Sequence, residues 1–309
     1  MSSKLIIGSR GSELALWQAN FIKNEIIKLH KDITVEIKII KTTGDKVTDF
    51  ALSATGDKGL FTKEIETELL EKKIDLAVHS LKDLQTNLPE GIKLAVVTKR
   101  YPNEDVLIAK RRYTTLKTLR KHAVVATGSL RRKSQLLHLR PDLKIEDLRG
   151  NVPTRILKFR RSNWDAIVLA RAGVERLGLK KNISSYIPKE ELLPAVGQGV
   201  LGIEINNENK ELEDLLKPLH DEDTNYKILA ERALLRTLEG GCQVPIGANS
   251  EITEDNLVLD SFIGSPDGIL FLRKKIEGNK TDCEELGKKL ATELLNAGAN
   301  RILDDIRTK

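Results

Sequence analysis

Through its first two-thirds this chain alternates short apolar runs with stretches that repeat at helical spacing. That rhythm restricts it to sheets rich in parallel strands and covered by helices. Leu5–Ile7 reads as a strand and Ser12–Leu29 as a helix capped by Ser12, with Leu14, Trp17, Phe21 and Ile22 near one face. Val35–Ile40, Ile74–Val78 and Ile92–Val97 read as further strands, with a helix over Lys63–Lys72. The polar segment Thr42–Gly59 is too long for a tight connection and is expected to be a flap. A second run of the same kind begins near Arg100, with strands at Val106–Ala109, Val124–Ala126, Lys144–Glu146 and Ala166–Leu169. Helices start near Ser129, Asn151 and Ala170, the first two with Ser or Asn as cap. Pro188, Pro194 and Gly197–Gly202 mark a place where the chain crosses back to the first unit.

From Asp221 the pattern changes. One long helix over Thr224–Leu238 precedes three strand-like stretches near Ile246–Ile252, Asn256–Ile263 and Ile269–Ile276. Thr281 and Glu284 have the spacing of a capping box, opening a final helix broken near Gly298. This last third reads as a small α+β domain.

Between the long helix and the first of those strands lies Leu238-Glu239-Gly240-Gly241-Cys242-Gln243-Val244-Pro245-Ile246-Gly247. Two glycines let the backbone turn sharply before Cys242, and Pro245 stiffens the way out, so the thiol is presented on a loop. No histidine is nominated as its partner, which disfavours a Cys/His protease. A covalent tether needs only access and a lowered pKa. The other cysteine, Cys283, falls in the first turn of the last helix and reads as structural.

Arginines recur where elements begin or end: Arg10, Arg131, Arg132, Arg149, Arg155 and Arg176. A guanidinium donates two parallel hydrogen bonds to a carboxylate and keeps its charge. Arg131 and Arg132 follow Gly128-Ser129 at a helix N-terminus, where backbone N–H groups already favour an anion. Any one of these arginines alone would read as a solvated surface cation. Asp83 follows a buried-looking strand, beside Lys82, on the sheet edge where open α/β folds bind ligands. Alone it reads as a turn or cap aspartate; next to fixed cations it can pass a proton to a leaving amine.

Composition narrows the chemistry. Five scattered histidines and two cysteines offer no metal-ligand spacing and no disulfide framework, so no metal is expected and a reducing cytoplasm is the natural home. Aromatic residues make up 4% of the chain, too few for a platform that stacks bases, and the net charge of +6 is spread out. Nucleic acid and membrane partners are not expected. No signal-peptide core precedes the first strand.

Seven segments in order carry a resemblance to a known family. They are Gly8-Ser9-Arg10-Gly11-Ser12 with Leu14-Ala15-Leu16-Trp17-Gln18-Ala19; Lys58-Gly59-Leu60-Phe61 with Lys63-Glu64; and Ala77-Val78-His79-Ser80 with Lys82-Asp83. Gly128-Ser129-Leu130-Arg131-Arg132, Leu148-Arg149-Gly150-Asn151-Val152 with Thr154-Arg155, Leu193-Pro194-Ala195-Val196-Gly197-Gln198-Gly199 and the Cys242 loop complete the set. The chain resembles the porphobilinogen deaminase (hydroxymethylbilane synthase) family over nearly its whole length.

The resemblance implies two doubly wound domains like those of type II periplasmic binding proteins, plus the small C-terminal α+β domain. The expected division is residues 1–99 with 200–219, residues 100–199, and residues 220–309. It implies a cytoplasmic, monomeric transferase of tetrapyrrole and heme biosynthesis. Such an enzyme joins four porphobilinogen molecules head to tail on a dipyrromethane cofactor held by a thioether to Cys242. Ammonia is lost at each addition and hydrolysis frees hydroxymethylbilane. By match, Asp83 is the acid/base group that protonates the departing amine and stabilises azafulvene- and pyrrolenine-type cations. Arg10, Ser12, Lys82, Ser129, Arg131, Arg132, Arg149, Arg155 and Arg176 bind the carboxylates of cofactor and substrate, and Lys58 lies on the flap. The physics agrees: an elongating chain of roughly six rings accumulates about twelve negative charges, and dense arginine answers that load. Two positions depart from the family pattern: Ile6, where many relatives carry arginine, and Gln85, where proline is usual. The competing expectation is a non-enzymatic periplasmic-type binding protein for a carboxylated small molecule.

Overall fold

The structure, a computed structural model, describes residues 4–46, 59, 61–239 and 244–307. Lys58 on the expected flap and Cys242 on its loop lie outside the described residues. In chain order the strands are β1 (Lys4–Ser9), β2 (Thr34–Ile39), β3 (Leu76–Ser80), β4 (Ile92–Val97), β5 (Asp105–Ala109), β6 (Val124–Ala126) and β7 (Lys144–Glu146). They continue with β8 (Ala166–Ala170), β9 (Ser185–Tyr186), β10 (Leu201–Asn206), β11 (Ile246–Thr253), β12 (Asn256–Gly264) and β13 (Phe271–Asn279). The chain divides into two compact units, Met1–Tyr101 with Gly199–Asn225, and Pro102–Gln198 with Tyr226–Lys309.

The first unit is built on a five-stranded sheet in the order β2-β1-β3-β10-β4. Alternation along β3 sorts its side chains between two cores. Leu76 and Val78 join Ile22 and Ile26 of the helix Glu13–Leu29, while Ala77 joins Ile65 and Leu69 of the helix Lys63–Leu70 on the opposite face. Ser12 caps the first of these helices, its hydroxyl accepting from the Ala15 N–H at 3.3 Å. Ile6 occupies a partly buried apolar place, and its N–H donates to Asp75 at 2.7 Å.

The second unit holds two sheets. The larger runs β7-β6-β8-β5-β9, again between two apolar layers. The smaller is the antiparallel meander β11-β12-β13, covered by the helices Glu222–Thr237 and Cys283–Leu294. Cys283 lies inside that core, where burial pushes its thiol up, as befits a structural cysteine.

Both five-stranded sheets share one order: second, first, third, inserted, fourth. That is the doubly wound pair expected. They are less parallel than the βαβ rhythm suggested, because the inserted strand runs antiparallel to both neighbours: β10 against β3 and β4, and β5 against β8 and β9. Each inserted strand is the first strand after the chain passes from one unit to the other, so it enters from the opposite end. The capping box also differs. Asn279 accepts from the Thr281 N–H at 3.0 Å, and a 3-10 turn over Lys280–Asp282 precedes the helix. Asn279 is the better cap because its carbonyl takes both the N–H and the hydroxyl of Thr281. The break near Gly298 is present, with that residue at φ 105°, a conformation glycine adopts without strain.

Candidate active site

In the first unit, β3 ends at Ser80 and the chain makes a 3-10 turn over Leu81–Asp83. Leu81 and Leu84 are buried on either side, and the Leu81 N–H is held by the carbonyl of Val200 at 3.0 Å. These two anchors turn Lys82 and Asp83 outward, leaving Asp83 exposed and Lys82 half-buried. Asp83 lines a cavity with Arg10, Ser12, Gln18, Phe61, His79 and Ser80. The Arg10 guanidinium lies 4.1 Å from the centre of the Phe61 ring, a cation–π contact that fixes its stem. Gln18 reaches across from the first helix to donate to the Ser80 hydroxyl at 2.7 Å. Arg10, Ser12 and Asp83 are therefore brought together; Lys82 sits next to them on the turn but does not line the cavity.

Beneath this cavity is a buried polar group that sequence reasoning passed over. His79 Nε2 stands 2.9 Å from Glu204 Oε2 of β10, close enough for an ion pair though not aligned as a hydrogen bond. Glu66 faces them from the helix Lys63–Leu70, and burial, reinforced by Glu204, raises its carboxyl above the usual range. The signal was available: Glu204 interrupts the apolar run Leu201-Gly202-Ile203-Glu204-Ile205, and a charge in a central strand is rarely idle.

The second unit collects the remaining candidates at three strand-to-helix junctions. After β6, Ser129 caps the helix Leu130–Leu139, accepting from the Arg132 N–H at 3.4 Å. After β7, Asn151 caps Val152–Arg161. Gly128 lets these two junctions touch, since a Cβ there would lie 2.7 Å from the Leu148 carbonyl and 3.3 Å from Arg149 Nε. Arg149 is half-exposed and donates to Asp147 at 3.0 Å, while Arg155 Nε donates to the Gly150 carbonyl at 2.6 Å over the same turn. Arg176 closes the short helix Arg171–Arg176 that follows β8 and is half-buried.

Arg131 and Arg132 are not on the surface; each is 5% exposed. Both donate to Asp105, Arg132 through two bonds and Arg131 through one; Asp105 opens β5 and is fully buried. Arg131 also donates to the Leu193 carbonyl at 2.6 Å and Arg132 to that of Val168 at 3.1 Å. Burial alone would raise the Asp105 carboxyl; the two guanidiniums outweigh it and hold the carboxyl far below the usual range. Two cations share one acid, so the pair keeps one surplus positive charge at a serine-capped helix N-terminus. A buried surplus of that sign attracts a carboxylate. The helix position was readable in advance; the buried partner was not, because an aspartate opening a strand looks like any edge residue.

Family profiles match nearly the whole chain: residues 5–214 as "Porphobilinogen deaminase, dipyromethane cofactor binding domain" and residues 225–296 as "Porphobilinogen deaminase, C-terminal domain". A porphobilinogen deaminase of Chloroherpeton thalassium is 49% identical over 100% of this chain and 99% of its own length. That of Chlorobium phaeobacteroides is 48% identical over 99% of both chains. Among solved structures, the periplasmic VFT2 domain of BvgS from Bordetella pertussis has 13% identity and a TM-score of 0.40, over 69% of this chain and 85% of that one. Holo ArgBP from T. maritima has 17% identity and a TM-score of 0.35, over 70% and 88%. The donor set of the second unit suits a group bearing several carboxylates, since the surplus charge at Arg131 and Arg132 follows β6 at a junction that touches the one after β7, where Arg149 is half-exposed. This chain belongs to the porphobilinogen deaminase family, transferases that join porphobilinogen molecules on a dipyrromethane cofactor in tetrapyrrole biosynthesis.

Proposed function

We propose that the two units divide the reaction: the first supplies the proton chemistry through Asp83, and the second the carboxylate grip through its arginines. The observation that carries this reading is the turn Leu81–Asp83, which holds an exposed carboxylate in a cavity shared with Arg10 and Ser12. In this role Asp83 gives a proton to the amine of the bound substrate, and ammonia departs. Its carboxylate then offsets the positive charge left on that ring and accepts the proton released as the new carbon–carbon bond forms. Arg10, Ser12 and Lys82 orient the substrate's acetate and propionate from the first unit. Ser129, Arg131, Arg132, Arg149, Arg155 and Arg176 do the same from the second, and Lys58 acts from the flap. The dipyrromethane, when bound, supplies the pyrrole carbon to which the first substrate ring is joined. Cys242 holds it by a thioether.

The same reading treats residues 1–99 with 200–219 as the acid/base domain, 100–199 as the arginine domain and 220–309 as the cofactor-bearing domain. It makes the chain a cytoplasmic monomer without membrane or nucleic-acid partners. Among the described residues no helix is long and apolar enough to cross a membrane. A non-enzymatic binding protein is not favoured, because relatives matched end to end are porphobilinogen deaminases.

Intact-protein mass spectrometry tests the assignment of the thiol. The purified chain is expected to carry the mass of two linked pyrrole units, and Cys242→Ser to lack it. An active protein with no added mass would end this reading.

A further inference from the structure

We infer that Asp105 is the positioning residue of the Arg131–Arg132 pair, setting both guanidinium planes and cancelling one of their two charges so that the pair recruits one further carboxylate. This rests on the reading of Arg131 and Arg132 as carboxylate ligands. Asp105 is 0% exposed, at the first position of β5, with its backbone paired to Ala170 of β8. Its Oδ2 accepts from Arg131 Nη2 at 2.8 Å and from Arg132 Nε at 3.1 Å, and its Oδ1 accepts from Arg132 Nη2 at 2.8 Å. Arg132 thus meets the carboxylate with two parallel bonds, the arrangement that locks a planar fork.

Gln198 holds the acid from the other side, donating to Oδ1 at 3.0 Å and to the Asn103 carbonyl at 2.6 Å. With that amide in place Asp105 cannot swing to follow either arginine. Together with the Leu193 and Val168 carbonyls it engages about half of the pair's N–H donors, leaving the others for a ligand. Removing Asp105 would leave two like charges buried side by side. Lengthening it would keep the charge and displace the forks. A purely structural aspartate and a positioning one therefore differ in how the protein answers an added carboxylate.

The full-length Asp105→Asn protein should unfold at a lower Tm than wild type in sodium chloride. At the same ionic strength in sodium acetate it should recover part of that loss, because the pair, no longer neutralised, draws a free carboxylate to the N–H donors that residue 105 does not engage. Wild type should gain much less. An Asp105→Asn protein that gains no more from acetate than wild type overturns the inference. Should that variant not fold, Asp105→Glu decides: a near-normal Tm with a depleted pyrrole adduct by intact mass supports positioning, and full adduct occupancy refutes it. Wild type without any adduct would instead sink the functional reading. Adduct-bearing wild type with an acetate-indifferent Asp105→Asn would sink the Asp105 assignment alone.

Discussion

The two five-stranded sheets use the same strand order and the same device after their first strand, yet they finish with different charged side chains. In each, strand one runs into a serine that caps a helix: Ser12 accepts from Ala15 and Ser129 from Arg132. After the third strand they part. β3 leads to an exposed aspartate on a 3-10 turn, whereas β8 leads to a helix opened by Arg171 and closed by Arg176. Charge is handled differently as well. The first unit buries a histidine with two acids, one of them raised; the second buries two arginines around a single depressed acid. Topology supplies helix ends and strand ends in fixed places, and on the proposed division a few side chains decide whether those places move protons or hold anions.

The sharpest way to break this division is at Asp83. Asp83→Asn should lose about 10²–10⁴-fold in turnover, the usual worth of a positioned acid/base group, while keeping its pyrrole adduct. Single-turnover ammonia release measures the first and intact mass the second; near-normal turnover would remove the proton chemistry from the first unit.

A second contrast lies in acid. The depressed carboxyl of Asp105 contributes stability above the unfolded aspartate range of about pH 3.9, and that contribution is lost as pH falls below it. The raised carboxyl of Glu66 works the other way, favouring the fold below about pH 4.3 and ceasing to do so as pH rises. The chain's two tryptophans report the units separately: Trp17 in the first and Trp164 in the second. In Trp17→Phe and Trp164→Phe proteins taken from pH 5 toward 3, the fluorescence of Trp164 should change before that of Trp17. Coincident transitions would erase the contrast.

The smallest effect tests what the units share. Ser12→Ala and Ser129→Ala each lose one cap, so each should cost about 1 kcal/mol in denaturant unfolding. A cost confined to one of them would mean that the two helix starts are not equivalent.

Much of this was legible beforehand, and the reasons differ by element. Capped helices such as Ser12–Leu29 and the strands β4, β6 and β7 depend on local pattern and turn chemistry, so their limits could be read within a residue or two. The inserted antiparallel strands could not, because β5 and β10 look like their neighbours and acquire direction only from where the chain re-enters a sheet. The 3-10 turn at Lys280–Asp282 escaped for a related reason: Asn279 and Thr281 compete for one cap, and backbone geometry chooses between them.

The candidate site divides along the same line. Sequence alone determined which residue types were available and their order: an aspartate after an apolar strand, arginines at helix starts, a cysteine between glycines and proline. Those are properties of neighbours along the chain, and short-range sterics and capping enforce them. Only the tertiary structure decided that Arg131 and Arg132 would share one buried acid, and that His79 would meet a glutamate 125 positions away. Burial and the low dielectric of the interior set the charge of such groups, and both come from segments that meet only when the sheets have formed.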